Sequence, residues 1–106
     1  MKRTIEPQEL EELLRDNKDV VLIDVRRRAD YEADKAMIPG AIWRDPEEKE
    51  HWSGDLPKDK DVVIYCVKGG SVSNSVLDYL RDKNVSARYV EGGIKAWQGA
   101  GGEVTG

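Results

Sequence analysis

The chain has 106 residues, with 17 lysines and arginines against 21 acids, a formal charge of -4 and 39% apolar residues. That length suits one domain built on one modest core, and the acidic balance argues against a nucleic-acid footprint or a polybasic membrane surface. Cys66 is the only cysteine, so no internal disulfide is expected and a reducing, cytoplasmic setting is the simpler reading.

No apolar h-region follows Met1-Lys2-Arg3-Thr4, and no apolar run approaches membrane-spanning length, so neither a signal peptide nor a transmembrane helix is expected. Pro7 suits the first turn of a helix, where its missing N–H costs nothing. Leu10, Leu13 and Leu14 then recur at helical spacing, with acids and Arg15 on the other face, and Asn17-Lys18-Asp19 is the predicted stop. Val20-Val21-Leu22-Ile23 is a continuous apolar run, the pattern of a strand covered on both faces, and Asp24-Val25-Arg26 follows at its carboxyl end.

Arg27 to Lys35 is polar and helix-capable, anchored by Tyr31, and Ile38-Pro39-Gly40-Ala41-Ile42 reads as a turn into a short strand. Arg44 to Gly54 is charged and reads as a loop with a helical turn, followed by a second polar connector from Leu56 to Asp61. Val62-Val63-Ile64-Tyr65-Cys66 is another buried strand, and Gly69-Gly70 marks a tight loop that Ser71 or Ser73 is placed to cap. Val72, Val76, Leu77 and Leu80 give the next helix its stripe, with Asn84 as its stop. Ala87-Arg88-Tyr89-Val90 is a short strand, and Glu91-Gly92-Gly93 turns into a last helix carrying Ile94 and Trp97. Residues 1–106 read as a single domain, with a glycine-rich tail from about 99 expected to be loose. Strands that alternate with helices predict an α/β fold, a mostly parallel sheet with helices on both faces. Sites in such sheets lie at the carboxyl ends of strands, where both Asp24 and Cys66 fall.

The segment Cys66-Val67-Lys68-Gly69-Gly70-Ser71-Val72-Ser73 delivers a thiol from a buried strand into a glycine-bearing loop just before a helix. Glycines let successive N–H groups turn inward as an anion nest, the helix N-terminus adds partial positive charge, and Lys68 adds a full one. Such a setting favours a thiolate over a thiol and suits an anionic persulfide or substrate. Activation by the loop itself needs no histidine base, and His51 is the only histidine. A lone cysteine at a strand end is equally often a small core residue, and spacing alone does not choose between the two.

Four segments together resemble the rhodanese homology family over nearly the whole chain. They are Leu22-Ile23-Asp24-Val25-Arg26, Ile38-Pro39-Gly40-Ala41-Ile42, Val63-Ile64-Tyr65-Cys66 with Gly69, and Val90-Glu91-Gly92-Gly93-Ile94 with Trp97. The resemblance implies a five-stranded, cofactor-free α/β domain with a ping-pong mechanism. Cys66 takes the outer sulfur of a donor such as thiosulfate as a persulfide and passes it to cyanide or a thiol. Val67, Lys68, Gly69, Gly70, Ser71 and Val72 are then the substrate-binding loop, and Lys68 matches a position where some members carry a basic residue for the donor. Asp24 and Arg26 match positions on the active-site side of the sheet and are expected mainly to brace the loop. A monomer is expected, with small anionic donors and thiophilic acceptors as partners.

The chain departs from that pattern where many relatives carry arginine or threonine in place of Ser71, and histidine in place of Met37. Val67 to Ser73 also resembles a subgroup associated with chromate-resistance gene clusters. Phosphatases and arsenate reductases on related folds need arginine six positions after the cysteine; Val72 stands there, and no arginine occurs between Cys66 and Arg81. Two other readings stand beside the sulfurtransferase: a persulfide carrier or partner-binding module without turnover of its own, and a thiol-dependent oxyanion reductase. Trp97 is expected to pack the last helix on the sheet, while Trp43 and Trp52 flank the charged segment and are candidates for the mouth of the site. Arg26-Arg27-Arg28 reads as a solvated face with one buried member, able to steer anions. One histidine and one cysteine do not furnish a structural zinc site.

Overall fold

In the computed structural model, which describes residues 2–16 and 19–105, the two long apolar runs become the inner strands of a five-stranded, all-parallel sheet. The elements run β1 (Thr4–Ile5), α1 (Pro7–Asp16), β2 (Val21–Asp24), α2 (Arg28–Ala33), β3 (Ile42–Trp43), α3 (Lys49–Trp52), β4 (Val62–Tyr65), α4 (Ser71–Asp82), β5 (Ala87–Val90) and α5 (Gly93–Gly99). Short 3-10 turns at Pro46–Glu48 and Ser53–Asp55 flank α3. The strand order is β1-β5-β4-β2-β3, with Asp24 level with Tyr65 across the central pair. No helix among the described residues is long and apolar enough to cross a membrane. The predicted stop of α1 at Asn17-Lys18 lies outside the described residues.

Residue-by-residue alternation along β4 sorts the core into two layers. Val62, Ile64 and Cys66 face one layer with Ile23, Val25, Val76, Leu77 and Leu80, under α4. Val63 and Tyr65 face the other, with Leu10, Leu22, Ile38, Ile94 and Trp97, under α1 and α5. Cys66 thus continues the face that meets α4, and the chain turns there into the loop before that helix.

Three local expectations change. Thr4–Ile5, given no element in the sequence reading, pairs with Tyr89 and Val90 as the fifth strand; two residues carry too little pattern to stand out. The cap of α4 is Gly70, with no side-chain hydrogen bond from Ser71 or Ser73. Ser73 instead enters the buried stripe beside Leu77 and Leu80, and its hydroxyl has no partner among the described residues. Asn84 does end α4, in the left-handed region at φ 64°. The glycine-rich tail is tied to the body. Met37 and Thr105 exchange backbone hydrogen bonds of 2.8 Å, and the Trp97 indole donates to the Glu103 carbonyl at 2.7 Å.

Candidate functional site

Cys66 lies one residue past β4, 5% exposed, and lines a cavity of about 290 Å³. Val67, Lys68, Gly70, Ser71 and Val72 line the same cavity from the loop, and Arg26, Arg27 and Asp30 line it from the end of β2 and from α2. Among the described residues, the backbone N–H groups of residues 67–72 donate to no protein acceptor. The loop therefore brings a row of open donors, one lysine and one thiol to a single concave site.

The carbonyl side of this loop is held firmly. The first turn of α5 donates to it: Ile94 N–H to the Cys66 carbonyl at 2.9 Å and Lys95 N–H to the Val67 carbonyl at 3.2 Å. Gly93, at φ 66°, presses so close that a Cβ there would stand 2.4 Å from the Val67 carbonyl oxygen. Gly69, at φ 72°, backs onto Gly92 in the same way, its virtual Cβ 2.9 Å from the Gly92 nitrogen. Each needs glycine twice over, for its left-handed backbone and for the close approach. The sequence reading took Gly92-Gly93 as the turn into the last helix and as part of a family motif. Their pairing with Gly69 across the fold has no local signature.

At the end of β2, Asp24 and Arg26 are buried and paired. The Asp24 carboxylate accepts from Arg26 Nε at 2.9 Å and from Nη2 at 2.6 Å, and from the Arg26 backbone N–H at 2.9 Å. The same guanidinium donates to the carbonyls of Asp34 at 2.8 Å and Ala36 at 3.0 Å. Burial alone would lower the Arg26 pKa, but the hydrogen bonds and charge of Asp24 outweigh it and hold the pKa above its ordinary value. What the pair braces directly is the connection from α2 to the Ile38 turn, and Arg26 also forms part of the cavity wall. Tyr65 supports the same turn by accepting from Ile38 N–H at 3.2 Å.

The arginine triplet divides its labour. Arg26 is the buried member, Arg27 is exposed at the cavity, and Arg28 lies 5.0 Å over the Trp43 ring and 3.4 Å from Asp45. Trp43 stacks on Tyr31 with centroids 4.7 Å apart, and its indole donates to the Arg26 carbonyl. Trp52 and Trp97 are core residues. None of the three tryptophans lines the cysteine cavity. Arg27 and Asp30 do; sequence reasoning named Arg27 only as one of a triplet able to steer anions and did not name Asp30. Position along an irregular strand exit gives no periodicity from which to tell a buried arginine from an exposed one.

Comparison with known proteins agrees with this architecture. The rhodanese-like domain family matches residues 6–100. A protein of Allochromatium vinosum named sulfurtransferase is 35% identical over 92% of this chain and 89% of its own length. A rhodanese-related protein of Thermoplasma volcanium superposes with a TM-score of 0.84 at 26% identity, covering 98% of each chain. A rhodanese-like domain protein of Staphylococcus aureus superposes with a TM-score of 0.81 at 28% identity, over 99% of this chain and 100% of that one. With the family matched across the sheet, the cysteine loop and the glycine clamp behind it, the chain belongs to the rhodanese-like domain family.

Proposed function

We propose that this chain is a sulfurtransferase that carries sulfane sulfur on Cys66, from an anionic donor such as thiosulfate to a thiophilic acceptor. The observation that carries this reading is the coincidence of Cys66 with a row of backbone N–H groups that have no protein acceptor among the described residues, beside Lys68 and Arg27. The 35% identity to a protein named sulfurtransferase supports the same class. A lone reactive thiol suits a reducing compartment such as the cytoplasm.

The Cys66 thiolate attacks the outer sulfur of thiosulfate. A Cys66 Sγ–S bond forms, the donor S–S bond breaks, and sulfite leaves with the electron pair. Lys68 and Arg27 draw the dianion in, and the N–H groups of residues 67–72 hold the persulfide anion that results. An acceptor nucleophile then takes the outer sulfur, and the pair returns to Sγ. The loop offers no arginine of its own to clamp an oxyanion, since Ser71 and Val72 occupy the late positions. Net positive charge comes instead from Lys68 and from Arg27 on the neighbouring strand exit.

Intact-mass measurement after thiosulfate treatment, followed by cyanolysis, tests the proposal. Wild type gains one sulfur atom and releases thiocyanate, and Cys66→Ser does neither. Equal thiocyanate release from both proteins overturns it.

A further inference from the structure

Beside the cysteine cavity lies a second chamber of about 340 Å³. Arg27, Ser71 and Val72 line both, so the two adjoin at the first turn of α4. Beyond that shared edge the second chamber is bounded by Pro46, Glu47 and Lys49 on one side and by Ser75 and Val76 of α4 on the other. Thiosulfate and cyanide are too small to need it. Its volume is that of a small organic ligand's seat, near the lower end of the usual range of roughly 300–1,000 Å³.

The charges on its walls are specific in kind. Among the described residues the Arg27 guanidinium makes no ion pair or side-chain hydrogen bond. The Glu47 carboxylate makes none either; only its backbone N–H is engaged, by Asp45. Lys49 is a second cation on the lining; among the described residues it makes no ion pair, and its ammonium lies 5.4 Å over the Tyr79 ring. Arg27 thus stands at the junction, with Glu47 and Lys49 on the outer wall and the apolar surfaces of Pro46, Val72 and Val76 among the chamber's lining.

We infer that this chamber seats the sulfur acceptor, and that the acceptor is a small zwitterionic thiol of the cysteine class. Arg27 pairs with its carboxylate, Glu47 with its ammonium group, and the thiol reaches across the Ser71–Val72 edge toward Cys66. The inference rests on the persulfide reading of Cys66 and adds the acceptor to it. The acceptor thiolate attacks the outer sulfur of the Cys66 persulfide. A new S–S bond forms on the acceptor, the Sγ–S bond breaks, and its electron pair regenerates the Cys66 thiolate. Oxidation level is conserved, and no further reactant enters.

The test loads Cys66 from thiosulfate and measures discharge to cyanide, to cysteine and to 3-mercaptopropionate, which lacks the ammonium group. Wild type should discharge to cysteine with a lower KM than to 3-mercaptopropionate. Glu47→Gln should erase that preference, a loss of about tenfold for one charge-assisted contact. Ser75→Trp, on the exposed face of α4, fills the chamber and should lower the ratio of cysteine to cyanide discharge by a similar factor. Loaded wild type that discharges equally to both thiols, with Ser75→Trp leaving the cysteine-to-cyanide ratio as it was, overturns the acceptor seat while the sulfurtransferase reading stands. Wild type that takes up no sulfur overturns both.

Discussion

The carboxyl ends of β2 and β4 lie side by side in the sheet, with Asp24 level with Tyr65, yet they are finished in opposite ways. At the end of β2 the polar groups of Asp24 and Arg26 are consumed internally: carboxylate, guanidinium and backbone N–H bind one another and two carbonyls beyond. At the end of β4 the carbonyls of Cys66 and Val67 are satisfied by α5, while the N–H groups of residues 67–72 have no protein acceptor among the described residues. The loop residues 67–72 are half-buried or exposed, so these donors are open to solvent or to a bound anion. A fold that closes every bond at one strand end and leaves a row of donors open at the next has separated a scaffold from a site. The same division splits neighbouring arginines, with Arg26 held in the scaffold and Arg27 exposed to the cavity.

The largest break in that contrast comes from Arg26→Ala. It leaves Asp24 charged, fully buried and unpaired, and frees the carbonyls of Asp34 and Ala36. The expected loss is about 3–5 kcal/mol of stability, read from the urea midpoint. Arg27→Ala, one residue on and exposed, should change stability by less than about 0.5 kcal/mol. Comparable losses from the two would show that the scaffold and the site are not separate.

Gly93→Ala acts on the other strand end. Its φ of 66° and the 2.4 Å approach to the Val67 carbonyl leave a methyl group no room without moving backbone. The left-handed conformation alone should cost about 1–3 kcal/mol. The distinguishing expectation concerns rate: displaced carbonyls at Cys66 and Val67 shift the thiol itself, so persulfide formation should fall further than stability accounts for. A variant that unfolds more easily but loads sulfur at the wild-type rate would limit the clamp to stability.

How much of this was legible beforehand follows from where the information sits in the chain. Continuous apolar runs at 20–23 and 62–66 announced the central strands, and the thiol at the end of one announced the site, because burial and strand ends are local properties. Two-residue β1 was not readable from pattern, since its identity as a strand depends on Tyr89 and Val90 receiving it. Ser73 was misread as a cap because hydroxyls before a helix usually serve that way; here Gly70 takes the position and helical phase carries Ser73 inward. The Gly69–Gly92 and Gly93–Val67 contacts join segments more than twenty residues apart. The tail, rich in glycine, was expected to be loose from composition, yet it is hydrogen-bonded through Thr105 and Glu103 to partners that only the fold supplies.

The smallest effect concerns Tyr65, which joins the two strand ends from below: it neighbours Cys66 in sequence and accepts from Ile38 N–H in the turn that Arg26 braces. Burial first, and the charge of Asp24 second, raise its phenol well above the ordinary range. An unfolded tyrosine ionises near pH 10. Between that value and its raised pKa the folded chain holds a proton that the unfolded chain has released. The contribution of Tyr65 to stability is therefore fully present below about pH 10 and falls as pH rises beyond it, by at most about 1.4 kcal/mol per pH unit for one proton. Tyr65→Phe cannot ionise, but it leaves the Ile38 N–H without its acceptor, at a cost of about 1 kcal/mol at neutral pH. Wild type should accordingly be the more stable protein at about pH 8, and its advantage should shrink or reverse at about pH 11. Urea midpoints of both proteins at the two pH values measure this. A difference that stays constant between them would mean that the phenol is not sequestered beneath the site, and that Asp24 pairs with Arg26 without acting on its neighbour across the sheet.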